Sequence, residues 1–420
     1  MTKKSRKRDT CRLCESKNLD LVVPLAPTPL AEKYFPDSET AGKQQFYDMD
    51  LHMCLECGHV QLLEVVDPDV LWDDYTYHSG QTQGIIDHFE DCAEMIFKRH
   101  SLEKNDLVVD IGSNDGSFLR CFQERGLRVL GVDPAKEIAR KATESGVETF
   151  AEFLSPGLAE KITTQYGSAS IVTAFNVFAH TDDLEGMVHS IRNLLSPDGI
   201  FVFEVSYLQN IIDDMLLGTF FHEHLSHHSV KPLIRFLKRN GLELIDLQKV
   251  FIQGGSLIGT AQLANGPHML SASIEKFVSQ ENDRLLDHPD TLKSFAAKLT
   301  GLRHQVSELS TGWQDRGISA AGFGAARSGN ILIAQMGLAD LIDFIVDDHP
   351  QKVNKRIGGY NIPVLPTKEL AERRPDYTFI LAWIHAKKII AGNRAYLDAG
   401  GKFIVCCPEV SVIDAEHDLK

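Results

Sequence analysis

The sequence predicts an α/β protein with two Rossmann-like units, preceded by a small unit that is rich in cysteine. Three patterns lead to this prediction. The run from Leu107 to Leu119 has the order of an apolar strand, a glycine-containing loop and an amphipathic helix, and the run from Ile318 to Asn330 repeats that order. Two Cys-x-x-Cys pairs lie ahead of both runs, between residues 11 and 57.

The size and charge of the chain exclude some classes of partner. Its 420 residues carry a formal net charge of -15, whereas nucleic acid binding needs clustered Lys and Arg. The basic cluster Lys3–Arg8 is short and is followed by no apolar segment, and no run approaches the length of a membrane span. Cysteines that occur as close pairs favour a metal site in a reduced, cytoplasmic protein over a disulfide framework. We therefore expect neither nucleic acid nor a membrane as a partner.

The two Cys-x-x-Cys pairs predict a zinc site. Each pair offers two thiolates to one tetrahedral ion, so that four sulfurs complete a zinc shell. A redox pair of the thioredoxin type does not occur as two matched knuckles. Because protein then occupies all four coordination positions, the zinc is expected to be structural rather than catalytic. The predicted ligands are Cys11, Cys14, Cys54 and Cys57.

The loop after the strand that ends at Asp110 has the features of a ligand site. Its glycines let a ligand approach the backbone, but it lacks the Gly-x-Gly-x-x-Gly pattern and the Gly-Lys-Ser/Thr of a phosphate loop. Asp110 and Asp115 add negative charge, which favours a cationic ligand, and Asp133 ends the next strand, where an acid can bind both ribose hydroxyls. S-adenosylmethionine (SAM) meets both requirements, and a generic nucleotide-type unit is the alternative. The predicted cofactor-binding residues of this region are Asp110, Gly112, Ser113, Asn114, Gly116 and Asp133.

Two further segments are expected to face that loop. Ser170–His180 has the pattern of the fourth strand of the sheet. Ligands bind at the carboxyl ends of such strands, so Asn176 and His180 are candidate ligand contacts. The aromatic run before the first strand contains Tyr75 and Tyr77. This run is either a lid that packs on the domain or a direct contact to the ligand.

The densest titratable cluster is Phe220–Ser229, with four histidines and one glutamate. A metal site, a base site and a solvated loop are the three readings of this cluster. His222 and His224 are potential metal ligands, but they lack the helical His-Glu-x-x-His spacing and a clear third ligand. An imidazole beside a carboxylate is how a base is oriented and tuned near neutral pH, which makes Glu223 and His224 the candidate pair.

The second Rossmann-like unit has Gly322 and Gly324 in its loop, and Asp347 ends its next strand. The loop is either shaped only for the packing of strand and helix or holds a nucleotide-like ligand. The patterns divide the chain into four segments. These are a zinc-binding domain at 1–75, a SAM-binding domain at 76–265, a helical linker at 266–316 and a C-terminal Rossmann-like domain at 317–420.

Taken together, these motifs resemble the sugar C-methyltransferases that act on nucleotide-linked 4-keto-deoxyhexoses in antibiotic sugar pathways. The resemblance covers nearly the whole chain. It rests on the paired knuckles, Tyr-x-Tyr-x-Ser at 75–79, Asp-Ile-Gly-Ser-Asn-Asp-Gly at 110–116, Glu-His-Leu-Ser at 223–226, Gly-Gly-Ser at 254–256, and Gly-Phe-Gly-Ala with Ser-Gly-Asn at 322–330. In that family a zinc-binding domain, a SAM-dependent methyltransferase domain and a C-terminal Rossmann-like domain surround one cleft.

The resemblance implies a SAM-dependent C-methyltransferase of deoxysugar biosynthesis with structural zinc. In that reaction a base removes a proton from the carbon beside the ketone, and the enolate then attacks the SAM methyl group in line. The family's base corresponds to His224, with Glu223 beside it, while His180 and Tyr75 or Tyr77 contact the sugar or the enolate. This chemistry agrees with the residues themselves, which offer a base and aromatic hydroxyls for an oxyanion.

Three positions depart from the family pattern. Phe221 stands where a tyrosine is often found, Ile258 where an arginine is common, and Ile384 where an asparagine is expected after Trp383. These positions concern the acceptor and leave the SAM side intact. The alternatives are therefore a methyltransferase for a non-sugar or oxygen acceptor in secondary metabolism, and a SAM-binding module without catalysis.

Overall fold

The computed structural model describes residues 4–72, 79–81, 83–100 and 102–417. Within them lie a cysteine-bearing β unit, a central α/β unit with a seven-stranded sheet, and a C-terminal α/β unit with a six-stranded sheet. The predicted α/β class with two Rossmann-like units is confirmed. Among these residues, no helical segment combines the length and the apolar character that a bilayer crossing requires.

The N-terminal unit is a set of short strands that brings the two cysteine pairs together. Its elements are β1 (Ser5–Lys7), β2 (Leu19–Val23), β3 (Thr28–Pro29), β4 (Tyr34–Phe35), α1 (Ser38–Gly42), β5 (Phe46–Tyr47), β6 (Leu51–Cys54), β7 (Val60–Leu62), β8 (Glu64–Val66) and α2 (Pro68–Trp72). Strands β2, β6 and β7 form an antiparallel sheet. Cys54 ends β6, so the second cysteine pair occupies the turn between β6 and β7.

The central unit alternates strands and helices before it ends in a hairpin. Its strands are β9 (Leu107–Ile111), β10 (Arg128–Val132), β11 (Thr149–Phe150), β12 (Ala169–Phe175), β13 (Leu195–Ser206), β14 (Ser226–His227), β15 (Leu242–Val250) and β16 (Ser256–Leu263). Its helices are α3 (Gln83–Arg99), α4 (Ser117–Gln123), α5 (Lys136–Glu144), α6 (Pro156–Tyr166), α7 (Leu184–Leu194), α8 (Leu208–Asp213) and α9 (Val230–Arg239). Short 3-10 helices cover Ser79–Gln81, Leu217–Thr219 and Ile252–Gly254.

The central sheet has the order β11-β10-β9-β12-β13-β16-β15. The first five strands are parallel, and β16 and β15 are antiparallel to their neighbours. Because the strand order reverses between β9 and β12, the carboxyl ends of these two strands border the crevice in which open α/β sheets bind ligands. Sequence signals fix the helices that flank the sheet: Ser155 caps α6 with Pro156 at its start, and Asp183 caps α7.

Buried apolar side chains on both faces of the central sheet pack it against its helices and against the other two units. On one face, α3 and α4 pack a cluster in which the rings of Phe118 and Phe175 lie 4.5 Å apart. On the other face, a larger cluster continues without a break into the N-terminal and C-terminal units. Burial of apolar surface is the main stabilising term of a fold. Because this burial is shared, we expect the three units to be stable together and not as independently folding domains.

Strand β14 lies in the sheet of the N-terminal unit, not in the central sheet. Ser226 is opposite Gln61 of β7, and His227 is opposite Val60. The chain that carries the titratable cluster therefore extends the sheet of the cysteine-bearing unit. A two-residue strand has no periodicity, and this pairing had no signal in the sequence.

The remaining chain forms two helices and the C-terminal unit. Its elements are α10 (Ser273–Asp283), α11 (Pro289–Leu309), β17 (Ala320–Phe323), α12 (Arg327–Met336), β18 (Phe344–Val346), β19 (Arg356–Ile357), β20 (Val364–Leu365), α13 (Glu369–Arg373), β21 (Tyr377–Ile380), a 3-10 helix (Trp383–His385), α14 (Ala386–Gly392), α15 (Arg394–Asp398), β22 (Lys402–Val405) and β23 (Ser411–Ile413). The sheet order is β20-β18-β17-β21-β22-β23, with β17 at a second reversal of strand order. Strand β19 pairs with β4 of the N-terminal unit.

Candidate active site

The loop after β9 is built to bring backbone close to a ligand. Gly112 has a φ of +72°, and a Cβ there would lie 2.3 Å from a methyl carbon of Val177, which follows β12. Gly116 has a φ of +77° and leads into α4. Both positions therefore require glycine, since a side chain meets steric and conformational strain there. Ser113 and Asn114, between them, are buried.

Asp110 lies at the floor of the crevice, where it is 3 % exposed. Its Oδ1 accepts a hydrogen bond of 2.6 Å from the Thr173 hydroxyl. Burial raises the pKa of Asp110 to about 7, although the bond from Thr173 acts in the opposite direction. The predicted negative charge at this position is therefore only partial near neutral pH, and a cation bound nearby would increase it.

Asp133 follows β10 and binds the glycine-containing loop directly. Its Oδ2 accepts from the backbone N–H of Asn114 at 2.9 Å, and its Oδ1 accepts from that of Ala135 at 2.8 Å. Burial raises the pKa of Asp133 against these two backbone bonds. Each carboxylate oxygen has a second lone pair, so the predicted contact to ribose hydroxyls stays open to this side chain.

The 3-10 helix Ser79–Gln81 lies against the same loop. The backbone N–H of Ser79 donates to the Asn114 side-chain oxygen at 3.0 Å, and that of Gly80 donates to Asp115 Oδ2 at 2.9 Å. Asp115 Oδ1 also accepts from the Ser117 hydroxyl at 2.6 Å, at the start of α4. Asp115 thus serves mainly to hold two elements together. The predicted catalytic residues Tyr75 and Tyr77 lie outside the described residues.

Asn176 stands at the carboxyl end of β12 in a left-handed conformation, with a φ of +57°. Its amide Nδ2 donates to Oε1 of the fully buried Glu204 at 3.0 Å, and its backbone N–H donates to the Glu204 carbonyl at 2.9 Å. The other carboxylate oxygen of Glu204 pairs with His88 of α3, next to the Cys92 thiol. Glu204 therefore fixes the residue predicted to contact the cofactor.

His180 and His224 are stacked in the crevice, with ring centroids 5.0 Å apart and planes inclined by 28°. His224 Nδ1 lies 2.8 Å from the carbonyl oxygen of Thr219, which can only accept a hydrogen bond. This contact assigns the proton to Nδ1 and leaves the Nε2 lone pair as the acceptor. The pKa of His224 is lowered to about 3, first by burial. Burial also holds the pKa of His180 well below its ordinary value.

The prediction that Glu223 orients His224 is wrong. Glu223 Oε2 instead pairs with Arg327 Nη1 at 3.1 Å, and this guanidinium also lies over the Phe221 ring, 5.0 Å from its centroid. The backbone turn directs the side chains of Glu223 and His224 to different partners. The Thr219 carbonyl, and not the Glu223 carboxylate, therefore orients the His224 ring. Burial raises the pKa of Glu223, while Arg327 acts to lower it.

Burial excludes the solvated-loop reading of residues 220–229. His222, His227 and His228 are 2 %, 1 % and 0 % exposed, whereas His224 keeps part of its surface accessible. Among the residues that the structure describes, the groups spaced closely enough to hold a metal ion include none of these histidines. The ring of His222 packs edge-on against Tyr47 instead, with centroids 5.5 Å apart.

The four predicted zinc ligands converge. Cys11 Sγ lies 3.6 Å from Cys57 Sγ, and Cys14 Sγ lies 3.4 Å from Cys54 Sγ. A tetrahedral zinc shell with bonds of about 2.3 Å has sulfur pairs roughly 3.8 Å apart, close to these separations. A hydrogen bond from the Cys57 thiol lowers the pKa of Cys11 to about 6. A bound zinc ion would replace the thiol protons, because it binds cysteine as the thiolate. The donor set therefore fits zinc.

The second glycine-containing loop is held by protein groups. Asp347 Oδ2 accepts from the backbone N–H of Ala325 at 2.8 Å. The carbonyl of Ala325 accepts from the Tyr34 hydroxyl at 2.6 Å and from Lys352 Nζ at 2.8 Å. The contact from Tyr34 ties the loop to the N-terminal unit, and those from Asp347 and Lys352 hold it within the C-terminal unit. Both interpretations, a loop shaped for strand–helix packing and a site for a nucleotide-like ligand, stay predictions.

Three family models match successive parts of the chain. Residues 11–72 match the model of a zinc binding domain, 87–247 that of a methyltransferase domain, and 251–408 that of a C-methyltransferase C-terminal domain. Similar solved structures include the magnesium protoporphyrin IX methyltransferase of Synechocystis PCC 6803 with bound SAM, at 15% identity and a TM-score of 0.33, over 43% of this chain and 80% of that one. Another is the CcbJ methyltransferase of Streptomyces caelestis, at 14% identity and a TM-score of 0.34, over 46% and 95%.

One relative matches from end to end. The C-methyltransferase NovU of Streptomyces niveus is 34% identical over 412 residues, which cover 98% of each chain. The chain belongs to this C-methyltransferase family. A ubiquinone biosynthesis O-methyltransferase of Cupriavidus pinatubonensis is 26% identical over 34% of the chain and 61% of its own length. As a C-methyltransferase, the protein uses SAM as its methyl donor and carries a four-cysteine zinc site.

The structure adds residues to the site of this C-methyltransferase that the sequence did not indicate. Thr219 contributes only a carbonyl, which no sequence pattern can identify. Arg327 had a signal, because it is the one charged residue in the run from Gly322 to Asn330. Glu204 lies two residues before the carboxyl end of β13, and an acid near such a strand end is a signal that could have been used.

Proposed function

We propose that the protein transfers the methyl group of SAM to the carbon next to the ketone of a nucleotide-linked keto-deoxysugar, as in antibiotic sugar pathways. The family supports transfer to carbon, and the motif resemblance supports the acceptor class. The single observation that carries the mechanism is the contact between His224 Nδ1 and the Thr219 carbonyl, at 2.8 Å.

That contact makes His224 the proposed base. With its proton on Nδ1, the ring presents the Nε2 lone pair, which is the atom that accepts a proton. Deprotonation breaks the C–H bond, moves the proton to Nε2 and leaves the electron pair in the enolate. The C–C bond then forms as the S–CH3 bond breaks, with S-adenosylhomocysteine as the second product.

The electrostatics of the pocket suit this step. Burial lowers the pKa of His224 to about 3 instead of tuning it near neutral pH, so in the ligand-free site the ring is neutral and a weak base. The imidazolium that forms is disfavoured in a buried site unless an anion forms beside it. The enolate is that anion, so the charges appear as a pair. His180, stacked on His224, is proposed to contact the sugar or the enolate.

SAM, when bound, supplies an electrophilic methyl group and a positive charge on sulfur. We assign its binding to the loop after β9 and to the neighbouring strand ends. Asp133 is proposed to take the ribose hydroxyls, and Gly112 and Gly116 allow the backbone to approach the cofactor. The full proposed set is Asp110, Gly112, Ser113, Asn114, Gly116, Asp133, Asn176 and His180. Tyr75, Tyr77 and Glu223 complete the proposed acceptor side.

The test uses hydrogen exchange at the acceptor carbon. With S-adenosylhomocysteine in the donor site, a nucleotide-linked 4-keto-deoxysugar in D2O should exchange the proton next to its ketone, as followed by NMR. His224→Gln should lose this exchange by at least about a hundredfold, the low end of a typical general base contribution. The variant should keep its affinity for S-adenosylhomocysteine, as measured by calorimetry.

His222→Gln is the matched control, because His222 lies in the same loop but packs on Tyr47. It should retain the exchange. Exchange that persists in His224→Gln would remove His224 as the base. A methyl carbon bonded to oxygen in the product of labelled SAM would favour an oxygen acceptor. SAM binding without transfer to any keto sugar would favour the non-catalytic alternative.

A further inference from the structure

We infer that Arg12, which lies inside the first cysteine pair, is a positioning residue that couples the zinc-binding unit to both histidines of the active site. The inference deepens the proposed function, since it rests on His224 as the base. Its basis is a continuous set of contacts from the cysteine knuckle to the two turns that carry His180 and His224.

Arg12 has a side chain with no exposed surface, although it is a full positive charge at neutral pH. Its Nε forms an ion pair with Asp182 Oδ1 at 2.9 Å. Its backbone N–H and its Nη1 both donate to the Gln61 side-chain oxygen, at 3.1 and 3.0 Å, and Nη1 also donates to the carbonyl of Leu62. A buried charge is tolerated when it is paired and hydrogen-bonded, and Asp182 together with the two oxygens of β7 compensates the charge of Arg12.

On one side, Arg12 reaches the turn of His180. Asp182 lies two residues after His180, and its carboxylate also pairs with Arg6 and Arg8 of the N-terminal unit. The carbonyl of Ala179, directly before His180, accepts from the backbone N–H of Leu225 at 3.0 Å and from that of Ser226 at 3.2 Å. The two histidine turns are therefore joined to each other by backbone.

On the other side, Arg12 reaches the turn of His224 through β7. Gln61 stands opposite Ser226 in the β7–β14 pair, and the backbone N–H of Leu62 donates to the carbonyl of Leu225 at 3.0 Å. His59, two residues after the zinc-ligand candidate Cys57, has its Nε2 3.1 Å from the Ser226 hydroxyl. These contacts meet at the two residues that directly follow His224.

The two cysteines on either side of Arg12 hold its backbone when they bind zinc. The ion pair with Asp182 and the bonds to β7 then set the place of both histidine turns. A displacement of about 1 Å at a catalytic group can cost about a hundredfold in rate, so this coupling affects turnover more than cofactor binding. Seven of the eight proposed SAM contacts, from Asp110 to Asn176, lie at the ends of β9, β10 and β12. His180 is the one member of that set whose turn Arg12 reaches.

The experiment compares Arg12→Met with Asp182→Asn in the full chain. Each should keep one zinc per chain and keep its affinity for S-adenosylhomocysteine within about threefold. Each should lose at least about thirtyfold in kcat for methyl transfer, with a small change in KM. Amide exchange measured by mass spectrometry on the ligand-free protein should become faster in residues 220–229. Removal of zinc by a chelator should accelerate exchange in the same peptide.

Arg6→Gln is the matched control, because Arg6 pairs with the same carboxylate from an exposed position. It should leave kcat and amide exchange near those of the parent. If Arg12→Met loses S-adenosylhomocysteine binding, the result for Asp182→Asn is the test of the coupling, since that substitution preserves the shape of the side chain. Unchanged exchange in residues 220–229 of Asp182→Asn would overturn the coupling. That readout needs no acceptor, so faster exchange with no keto-sugar turnover in the parent would refute only the proposed function.

Discussion

At the residue scale, burial decides which groups of the site carry charge. The carboxyl of Asp110 has its pKa raised to about 7, and the imidazole of His224 has its pKa lowered to about 3, each first by burial. Both shifts oppose the charged form, which a low-dielectric surrounding disfavours. The ligand-free crevice is therefore poor in charge at these two positions, and a cationic cofactor is the partner that would change the state of Asp110.

This state predicts a pH dependence of donor binding. A bound cation favours the ionised form of Asp110 and lowers its pKa below the value of about 7 in the free protein. Binding below that pH must then release a proton, so the affinity falls as the pH falls, by about tenfold from about pH 8 to about pH 6. Calorimetry with sinefungin, which carries an ammonium group in place of the sulfonium, measures this effect.

S-adenosylhomocysteine is the control ligand for that measurement, because its thioether sulfur is neutral. Its affinity should change less over the same pH range. Asp110→Asn should remove the difference between the two ligands, since the amide does not titrate there. Equal pH dependences of the two ligands in the parent protein would contradict the role given to Asp110.

At the scale of elements, the loop between β9 and α4 depends on backbone that only glycine allows. Gly112 combines a φ of +72° with close contact to Val177, whereas Gly146 has a φ of +95° and open space around its Cα. A side chain at Gly146 would therefore meet conformational strain alone, whereas one at Gly112 would meet conformational strain and a steric clash. An L residue in the left-handed region costs about 1–2 kcal/mol, and this cost applies at both positions.

Gly112→Ala should therefore be more harmful than Gly146→Ala. Gly146→Ala should reduce the free energy of unfolding by about 1–2 kcal/mol and leave affinity for S-adenosylhomocysteine unchanged. Gly112→Ala should lose more stability and at least about tenfold in affinity, or about 1.4 kcal/mol of binding free energy. Denaturant unfolding and calorimetry provide the two measurements. Gly112→Ala with parental affinity would show that the loop does not form the donor site.

Much of this element-level organisation could be predicted because its causes are local in sequence. Apolar strands that end at Asp110 and Asp133, glycines between strand and helix, and paired cysteine knuckles each have a short-range pattern. The partners of Glu223 and His224 could not be predicted in this way. Glu223 and Arg327 are 104 positions apart, and the Thr219 carbonyl is an ordinary backbone atom. The Glu223–Arg327 contact forms only when the central and C-terminal units pack together. Thr219 is close to His224 in the sequence, but no side-chain pattern identifies its carbonyl as the partner.

At the scale of the whole molecule, all three units meet at residues 220–229. The N-terminal unit pairs β7 with β14, the central unit binds the carbonyl of Ala179 to the backbone of Leu225, and the C-terminal unit supplies Arg327. Each unit therefore restrains the segment that carries the candidate base. A segment placed by three units has a defined position only in the assembled chain. The family resemblance implied that three domains surround one cleft, but no pattern predicted that they meet at residues 220–229.

The ion pair between Glu223 and Arg327 provides the test of the C-terminal contribution. The two side chains are 10 % and 25 % exposed, so solvent screens the pair only in part. In a double-mutant cycle of Glu223→Gln and Arg327→Met, the coupling free energy of unfolding should be about 0.5–3 kcal/mol, the range for residues in contact. Arg327→Met should also raise the KM for the keto-sugar acceptor while leaving the affinity for S-adenosylhomocysteine unchanged, because Arg327 faces Glu223 and Phe221 rather than the loop after β9. Lys33→Met is the matched control, since it removes a nearby positive charge without an ion pair to Glu223. Additive effects of the two variants, or equal losses in the Lys33 variant, would assign the effect to general electrostatics and not to this pair.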